Sequence, residues 1–314
     1  MIIQSDKTNR TTGSLDPARR PRLYPLPRVE FPAVLLSEER REEALSFLLE
    51  RPLHTFGMTG LIRDNGLVSP RNRGTFYGYY DQRGKLEGVA LIGHSTLFEA
   101  RTQRSLEAFA RAAQTGPDIF MLLGERTQVE LFWSAYSQLS RTPSVFCSEL
   151  LLEKRWPVEA LETVEGLRPA TLDDLGYVAP VHAALATEES GVNPLESDAE
   201  GFLQRCARRI ERGRTWVWIE NGELIFKADV VSDTPGVIYL EGVWVSPHHR
   251  GRHCGLRSLS QLCANLLRRT KSVCLLVNER NVSARRFYER AGFKFIATYD
   301  SVFLHSARSS EDSM

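Results

Sequence analysis

The sequence lacks several features that would assign a protein to a class at once. It contains no run of about 20 apolar residues, the length of a membrane-spanning helix, so we expect no membrane partner. Its 40 lysines and arginines nearly balance its 39 acids, which gives no reason to expect a nucleic-acid partner. Its five cysteines form no C-x-x-C pair and no cluster with histidine, so we expect free thiols, no metal site and a cytoplasmic location.

The length and composition favour two domains. The 314 residues are 42% apolar and 25% charged, as is typical of globular proteins. Residues 1–33 are polar, basic and proline-bearing, without the apolar segment of a secretory signal, and residues 306–314 are polar. We predict a disordered leader and a disordered tail there, with domains at 34–156 and 157–305.

The N-terminal half has a mixed α/β pattern. Ser37 is placed to cap a first helix, and a hairpin follows over Gly74–Gly93 around a turn at 81–84. After it come RSLEAFARAAQ as a helix, DIFMLLG as a buried strand and VELFWSAYSQL as an amphipathic helix.

The C-terminal half shows a related order of elements. A short strand and a helix that Thr171 can cap precede a second helix, and Asn221-Gly222 predicts a tight hairpin. The strand VIYLEGVWVSP, a helix, the buried strand SVCLLVN, a helix that ends at Gly292 and the last strands follow. Both halves run helix, hairpin, helix, apolar strand, helix, which indicates either a diverged duplication or a coincidence of α/β alternation.

A basic, glycine-containing loop, RGRHCG over residues 250–255, joins a strand to a helix. The first N–H groups of a helix are unpaired and favour an anion, and glycines let a phosphate approach the backbone closely. Arg250 and Arg252 add charge-assisted donors. The plain alternative is a strand-to-helix turn with solvated arginines.

This loop resembles the acyl-CoA loop of the GNAT superfamily of N-acyltransferases, Arg/Gln-x-x-Gly-x-Gly/Ala, and the likeness covers roughly residues 166–305. Arg250 and Gly255 match the pattern, and NVSARRFYERAGF resembles the last motif of the family. The resemblance implies two tandem GNAT-like α/β (α+β) domains, each a mixed, mostly antiparallel sheet flanked by helices, the N-terminal one degenerate. It implies acetyl-CoA or another acyl-CoA as co-substrate. The expected contacts are Val243, Trp244, Val245, Arg250, Gly251, Arg252, His253, Cys254, Gly255, Asn281, Ala284 and Tyr288.

His253 departs from the pattern, which has glycine there. We expect the substitution to be tolerated if the backbone keeps a negative φ and the imidazole turns away from the anion or donates to it. Asn281 would bind the pantetheine arm by the same resemblance, and it is also placed to cap the helix that follows.

Two residues are candidates for the chemistry. Glu241 lies four residues before Val245, so strand alternation predicts that both face one side, where the carboxylate would accept an amine proton. Its alternative is a surface carboxylate or an arginine partner. Tyr288 stands where the family has its general acid, and its alternative is a tyrosine packed on an apolar helix face.

The acceptor site is the least defined. By the resemblance, the loop after the first helix of the C-terminal half lines it, and the candidates are Glu188, Glu189, Asn193 and Lys227. Solvated acids and an exposed lysine explain the same residues equally well or better.

The sequence thus predicts an acyl-CoA-dependent N-acyltransferase that transfers acetyl to a primary amine, on a small molecule or a peptide, by direct attack in a ternary complex. The alternatives are a non-catalytic acyl-CoA-binding or regulatory protein, and a tandem transferase resembling mycothiol synthase. We expect a monomer or homodimer. The N-terminal half lacks a glycine loop, so we expect it to bind no CoA and to serve packing or acceptor recognition.

Overall fold

The computed structural model describes residues 31–137, 143–158 and 162–304. Most of the predicted leader and all of the predicted tail lie outside these ranges. The first half contains β1 (Val34–Leu35), α1 (Arg41–Leu48), α2 (Phe56–Asn65), β2 (Gly74–Tyr80), β3 (Leu86–Gly93), β4 (Ser95–Ala100), α3 (Gln103–Thr115), β5 (Met121–Glu125), α4 (Arg126–Tyr136) and β6 (Pro143–Lys154).

The second half follows the same order with one helix more. It contains β7 (Leu167–Pro169), α5 (Leu175–Ser190), α6 (Pro194–Ser197), α7 (Ala199–Glu211), β8 (Thr215–Glu220), β9 (Glu223–Asp233), β10 (Ile238–Val245), α8 (Cys254–Leu267), β11 (Val273–Asn278), α9 (Val282–Arg290) and β12 (Lys294–Leu304). The segment expected to form the last strands is the single strand β12.

The chain forms two compact units. The N-terminal unit contains the described residues up to Glu149 together with Ala297–Leu304, and the C-terminal unit is Leu150–Ile296. The predicted limits are 156 and 305, whereas this division falls after Glu149 and after Ile296. Residues 299–303 of β12 pair with β5, for example Tyr299 opposite Glu125.

In the N-terminal unit the sheet order is β1-β2-β3-β4-β5 and then the second part of β12. Only the β4–β5 pair is parallel among the registers from β1 to β5. The predicted hairpin is present, and one carboxylate oxygen of Asp81 accepts from the N–H groups of Arg83 and Lys85 at 2.8 Å each. The predicted cap at Ser37 is wrong: its side chain makes no capping bond, a 3₁₀ turn intervenes, and α1 begins at Arg41.

The C-terminal unit repeats this topology. Its sheet order is β7-β8-β9-β10-β11 and then the last part of β6, and the β10–β11 pair is again parallel. The hairpin at Asn221-Gly222 is present, with positive φ at both residues as a two-residue turn requires. One face of the sheet packs with α8 and α9 in a core that includes Phe226, Leu259 and Phe287.

Two irregularities of β10 shape this sheet. First, β10 pairs with β11 only from Ile238 to Leu240, although it continues to Val245 and β11 continues to Asn278. Second, Glu241 lies opposite Asp229 and Trp244 opposite Lys227, so two residues of β10 face one residue of β9. Gly242 adopts φ +58 within this bulge. β10 therefore stops pairing with β11 just before the bulge that changes the direction of its side chains.

A buried charged network lies against the bulge. Lys227 and Asp229 are 0% and 1% exposed and form an ion pair, and a Cβ on Gly242 would lie 2.9 Å from Lys227 Nζ. Asp229 also accepts from Thr215 Oγ1 at 2.7 Å, and Arg209 and His182 lie within 3.3 Å of it. The expectation of an exposed Lys227 is wrong, because its pairing with Asp229 compensates for the burial of both charges.

The network sets the charge of Asp229. Burial alone would raise the pKa of this carboxyl, but Lys227 and Arg209 hold the pKa well below its ordinary value of 3.8. A carboxyl with a lowered pKa contributes stability above its unfolded pKa, and this contribution is lost as the pH falls through the folded pKa.

Replacement of Lys227 by methionine is therefore expected to destabilise the protein by roughly 3 kcal/mol at pH 7, because Asp229 keeps a buried charge with fewer partners. Urea denaturation measures the difference from wild type, which should shrink as the pH falls below about 4. The exposed Lys271 offers the matched variant Lys271→Met, with an expected change within about 0.5 kcal/mol. Equal effects of the two substitutions would show that the network contributes nothing.

Candidate functional site

The segment between β10 and α8 is anchored to neighbouring strands. Ser246 Oγ donates to Glu223 at 2.6 Å, and the Ser246 N–H donates to the Ile225 carbonyl at 2.9 Å. Arg250 Nε donates to the Val245 carbonyl at 3.2 Å. These bonds hold the predicted anion loop, residues 250–255, beside the end of β10.

The first turn of α8 is open to an anion. His253 is its N-cap residue and provides no side-chain hydrogen bond, so the first N–H groups of α8 have no capping acceptor from it. His253 has φ +60, which contradicts the expectation of a negative φ. The left-handed conformation explains why the family pattern has glycine at this position.

The two glycines of the loop serve different needs. Gly251 has φ +75, and a Cβ there would meet nothing within 4 Å, so its backbone conformation is what favours glycine. A Cβ on Gly255 would lie 2.7 Å from a methyl group of Val245 and 3.3 Å from the Phe287 ring. Gly255 therefore allows α8 to pack closely on β10 and α9, a reason that sequence reasoning had not given.

The remaining residues of the loop have varied surroundings. Arg252 and His253 are exposed, and Arg252 has no ion pair among the residues described. Cys254 is buried, and its thiol lies 3.6 Å from the Arg252 carbonyl. All five cysteines, which lie in described residues, are free thiols.

The separated ends of β10 and β11 lead to the two helices that carry the predicted site. Val243 and Val245 share one buried core with Ala284 and Tyr288 of α9, whereas Trp244 packs in the cluster on the opposite face. Asn281 caps α9, its Oδ1 accepting from the Ala284 N–H at 2.9 Å. Asn281 therefore has the capping role that the sequence also predicted. Its amide Nδ2 takes no part in the capping bond.

Tyr288 is almost fully enclosed, with 4% of its surface exposed. Burial raises the pKa of its phenol above the ordinary value of 10.0, and Glu189 and Cys263 add to this effect. Glu189 of α5 is thus close enough to Tyr288 to raise its pKa. The hydroxyl therefore stays protonated at all physiological pH values.

Glu241 faces the opposite side of the sheet from Val245. Glu241 is paired with Asp229 and Val245 with Phe226, and these two residues of β9 lie on opposite faces. The prediction from alternation is wrong because the bulge at Gly242 adds one residue and reverses the pattern. The glycine within the strand was the available signal. Glu241 is half-buried on the side of Lys227 and α5.

The structure brings some of the acceptor candidates to the site and leaves others elsewhere. Glu188, near the end of α5, lies close enough to Arg250 for each to shift the pKa of the other. Burial raises the pKa of Glu188, and Arg250 opposes the rise. Asn193 instead caps α6, accepting from the Leu195 N–H at 3.1 Å. Lys227 is occupied by Asp229.

The equivalent place in the N-terminal unit is filled. The ladder of β4 with β5 ends at Leu97 and Leu123, and beyond it Arg51 bridges Glu99 of β4 at 3.0 Å and Glu125 of β5 at 2.9 Å. These ion pairs connect the ends of β4 and β5. The corresponding ends of β10 and β11 in the C-terminal unit are not paired with each other.

The start of α3 also differs from the start of α8. Thr102 accepts from the Ser105 N–H at 3.3 Å and so caps the helix. The β3–β4 register is continuous, from Gly88 opposite Ala100 to Leu91 opposite Leu97, without a bulge. The N-terminal unit thus has the topology of the site but a capped helix and a regular strand.

The described ranges contain neither a metal-binding cluster nor a membrane-spanning helix. No group of three histidine, cysteine or acidic side chains there is arranged to hold a metal ion. No helix there combines the length and hydropathy needed to cross a bilayer.

Comparisons with known proteins agree with this topology. A search among curated proteins gave no significant match. Among solved structures, an acetyltransferase of the GNAT family from Colwellia psychrerythraea has a TM-score of 0.55 and 15% identity, covering 88% of this chain and 100% of that chain. A GCN5-related N-acetyltransferase from Sphaerobacter thermophilus has a TM-score of 0.51 and 16% identity, covering 88% and 96%.

A tandem GNAT protein from the clavulanic acid biosynthesis pathway is similar over the same extent. Its TM-score is 0.54 at 14% identity, and the match covers 87% of this chain and 97% of that chain. At such identities the likeness concerns the fold, and it confirms the expected α/β architecture of two tandem GNAT-like domains.

The sequence itself carries the family assignment in its second half. The model of the Acetyltransferase (GNAT) family matches residues 180–293, which run from α5 to the residue before β12. The matched range includes the anion loop, Glu241 and Tyr288. The C-terminal half of this chain therefore carries a domain of the GNAT acetyltransferase family.

Proposed function

We propose that the C-terminal unit is an acyl-CoA-dependent N-acyltransferase, which transfers acetyl from acetyl-CoA to a primary amine by direct attack in a ternary complex. The observation that carries this proposal is the uncapped start of α8, placed where β10 and β11 separate. Ligands of open α/β sheets bind at the carboxyl ends of strands, and an anion suits a helix N-terminus.

The acyl-CoA would bind along this edge of the sheet. Its pyrophosphate would accept from the N–H groups of residues 251–255, with the side chains of Arg250 and Arg252 as charged donors. Its pantetheine arm would lie along residues 243–245, whose backbone has no partner in β11, with the amide of Asn281 as a further donor. A backbone N–H near Val245 would polarise the thioester carbonyl.

The transfer needs one proton acceptor and one proton donor. The amine nitrogen attacks the thioester carbon, its proton passes to Glu241 directly or through water, and the C–S bond breaks. Tyr288 gives its proton to the departing thiolate, which leaves as the free thiol of CoA. The raised pKa of Tyr288 keeps this proton in place until the thiolate forms.

The acceptor would approach from the side of α5. Glu241 faces this side. Glu188 and Glu189 lie in the last turn of α5, Glu188 near Arg250 and Glu189 near Tyr288. Carboxylates there favour a cationic amine. Asn193 and Lys227 are left out of the proposed acceptor site because each is engaged in a structural contact.

We further propose that the N-terminal unit binds no CoA and serves packing or acceptor recognition. Arg51 lies between the ends of β4 and β5 and forms ion pairs with Glu99 and Glu125. Thr102 caps α3, the helix that corresponds to α8 and would otherwise receive the pyrophosphate. The segment between Ala100 and Gln103 contains no glycine.

The substitutions Glu241→Gln and Tyr288→Phe are each expected to lower kcat by about 100-fold or more, since general acid or base catalysis contributes about 10²–10⁴-fold. The measurement is release of CoA thiol from acetyl-CoA across a panel of amines, polyamines, amino acids and peptides. Affinity for acetyl-CoA should change little, because Glu241 has no proposed contact with it and Tyr288 meets only the thioester sulfur, away from the pyrophosphate.

The same assay separates catalysis from mere binding. Glu220→Gln, a change of an exposed carboxylate in β8, is the matched control and should leave kcat unchanged. Stabilisation by CoA without thiol release for any acceptor would instead identify a non-catalytic acyl-CoA-binding protein.

His253→Gly is expected to raise the free energy of unfolding by up to about 1 kcal/mol, because glycine adopts the left-handed conformation without strain. The affinity for acetyl-CoA, measured by calorimetry, should stay within about twofold, since the backbone N–H groups are unchanged. Asn221→Gly, at φ +51 in the β8–β9 turn, is the control and should gain less, because asparagine tolerates this conformation. A tenfold loss of affinity in His253→Gly would make the imidazole a required contact.

A further inference from the structure

His182 of α5 has no part in the transfer described above, although it lies beside Glu241. Its Nδ1 is 3.2 Å from Oδ2 of Asp229, and Asp229 of β9 is directly opposite Glu241 of β10. Directly opposite residues of an antiparallel pair share one face of the sheet, with Cβ atoms about 5 Å apart. The imidazole and the carboxylate of Glu241 therefore flank the same buried aspartate.

Helix α5 places His182 on the side from which the acceptor would approach. Leu185, one turn later, lies above the bulge, because a Cβ on Gly242 would be 3.7 Å from its methyl group. Glu189, a further turn on, is close enough to Tyr288 to raise its pKa. Residues 182, 185 and 189 have the spacing of one helix face, so this face runs over the bulge toward Tyr288.

The contacts of Nδ1 indicate which ring nitrogen carries the proton. Although burial opposes it, Lys227 and Arg209 hold the pKa of Asp229 well below 3.8, so the ionised carboxylate only accepts. Arg209 Nη1 is 3.4 Å from Nδ1, farther than the carboxylate, and it has Asp229 itself as an acceptor at 3.3 Å. Nδ1 therefore carries the proton and donates to Asp229, which leaves a free lone pair on Nε2.

The Nε2 atom of His182 is accessible. It has no hydrogen-bond partner among the residues described, and it is not one of the polar atoms there that are both buried and unpartnered. The side chain is 21% exposed, with one contact to the Phe202 ring at a centroid distance of 5.4 Å. Because Nδ1 points to the buried Asp229, the exposed surface lies on the far side of the ring, which contains Nε2.

The surroundings keep the imidazole neutral. Burial lowers the pKa of His182 below its ordinary value of 6.5, the neighbouring carboxylate opposes this effect, and the two neighbouring cations add to it. At pH 7 the ring can therefore accept a proton. The charged and titratable groups near it are Lys227 and Asp229 of β9, Glu241 of β10, Arg209 and Cys206 of α7 and, two turns away on its own helix, Glu189.

We propose that His182, oriented by Asp229, accepts the first of the two protons that the acceptor amine must lose. This role rests on the proposed transferase function. A primary amine reaches the site as an ammonium, and Nε2 takes one proton from it, directly or through water, so that the neutral amine can attack the thioester. The second proton passes from the attacking nitrogen to Glu241 as the C–S bond breaks. The imidazolium, stabilised by the carboxylate of Asp229, then returns its proton to solvent.

The pH dependence of thiol release distinguishes this role from a structural one. His182→Asn keeps an N–H donor for Asp229 but has no base, so only acceptor molecules that are already neutral in solution can react. With an alkylamine acceptor from the panel, kcat/KM at pH 7 should fall by about 100-fold or more. The loss should shrink by about tenfold for each unit of pH up to the pKa of the amine, about 10.4 for a lysine side chain. Added imidazole should restore part of the activity.

His54→Asn is the matched control. Nδ1 of His54 also contacts a protein oxygen, the Tyr299 hydroxyl at 2.9 Å, but it belongs to the N-terminal unit. This substitution should leave kcat/KM and its pH dependence unchanged. Full activity of His182→Asn at pH 7 would overturn the proposal, as would a loss that is the same at every pH and that imidazole does not restore.

The proton position on His182 can be measured without an acceptor. In full-length protein labelled with ¹⁵N-histidine, long-range ¹H–¹⁵N correlation at pH 7 should show a neutral ring protonated at Nδ1, in a signal that His182→Asn lacks. A proton on Nε2, or an imidazolium, would overturn the role of His182 and leave the proposed transferase intact. Absence of thiol release by the wild type with every acceptor would overturn the transferase and this role together.

Discussion

The separation of β10 from β11 after Leu240 is the constraint on which the C-terminal site depends. Two parallel strands that stop pairing leave backbone groups for a ligand at their carboxyl ends. The bulge at Gly242 re-aims β10 at this point, and the buried pair of Lys227 and Asp229 packs against it. The bulge also decides which side each residue faces, so that Val245 joins the core with Tyr288 while Glu241 turns toward α5.

The two units share one topology, but a few side chains decide whether the strand ends and the helix start are accessible to a ligand. Each has a parallel ladder of three residue pairs in the middle of its sheet, followed by a helix. In the C-terminal unit the helix begins without a side-chain cap. In the N-terminal unit Thr102 caps the helix and Arg51 bridges the separated strands. The difference at this place lies in capping, in ion pairing and in the bulge of β10, and not in the order of the strands.

Much of this was accessible from the sequence, because local signals agreed with the fold. The hairpins at 81–84 and at Asn221-Gly222, the strand-loop-helix around Arg250 and the tandem architecture follow from turn residues, periodicity and motif spacing. The predictions that were wrong depended on contacts between residues distant in sequence or on a single inserted residue. The predicted face of Glu241 was wrong because a bulge reversed the alternation. The burial of Lys227 was missed because it belongs to a network around Asp229 that also includes Arg209 and His182 from other elements. The negative φ expected of His253 was wrong because the turn into α8 requires the left-handed region.

The central claim is that only one of the two similar units accepts acyl-CoA. Calorimetric titration of the full chain with acetyl-CoA tests it most directly, because the stoichiometry counts the sites. The account predicts one molecule bound per chain. Two molecules per chain would contradict the closed state of the N-terminal unit, and no binding at all would contradict the anion site at the start of α8.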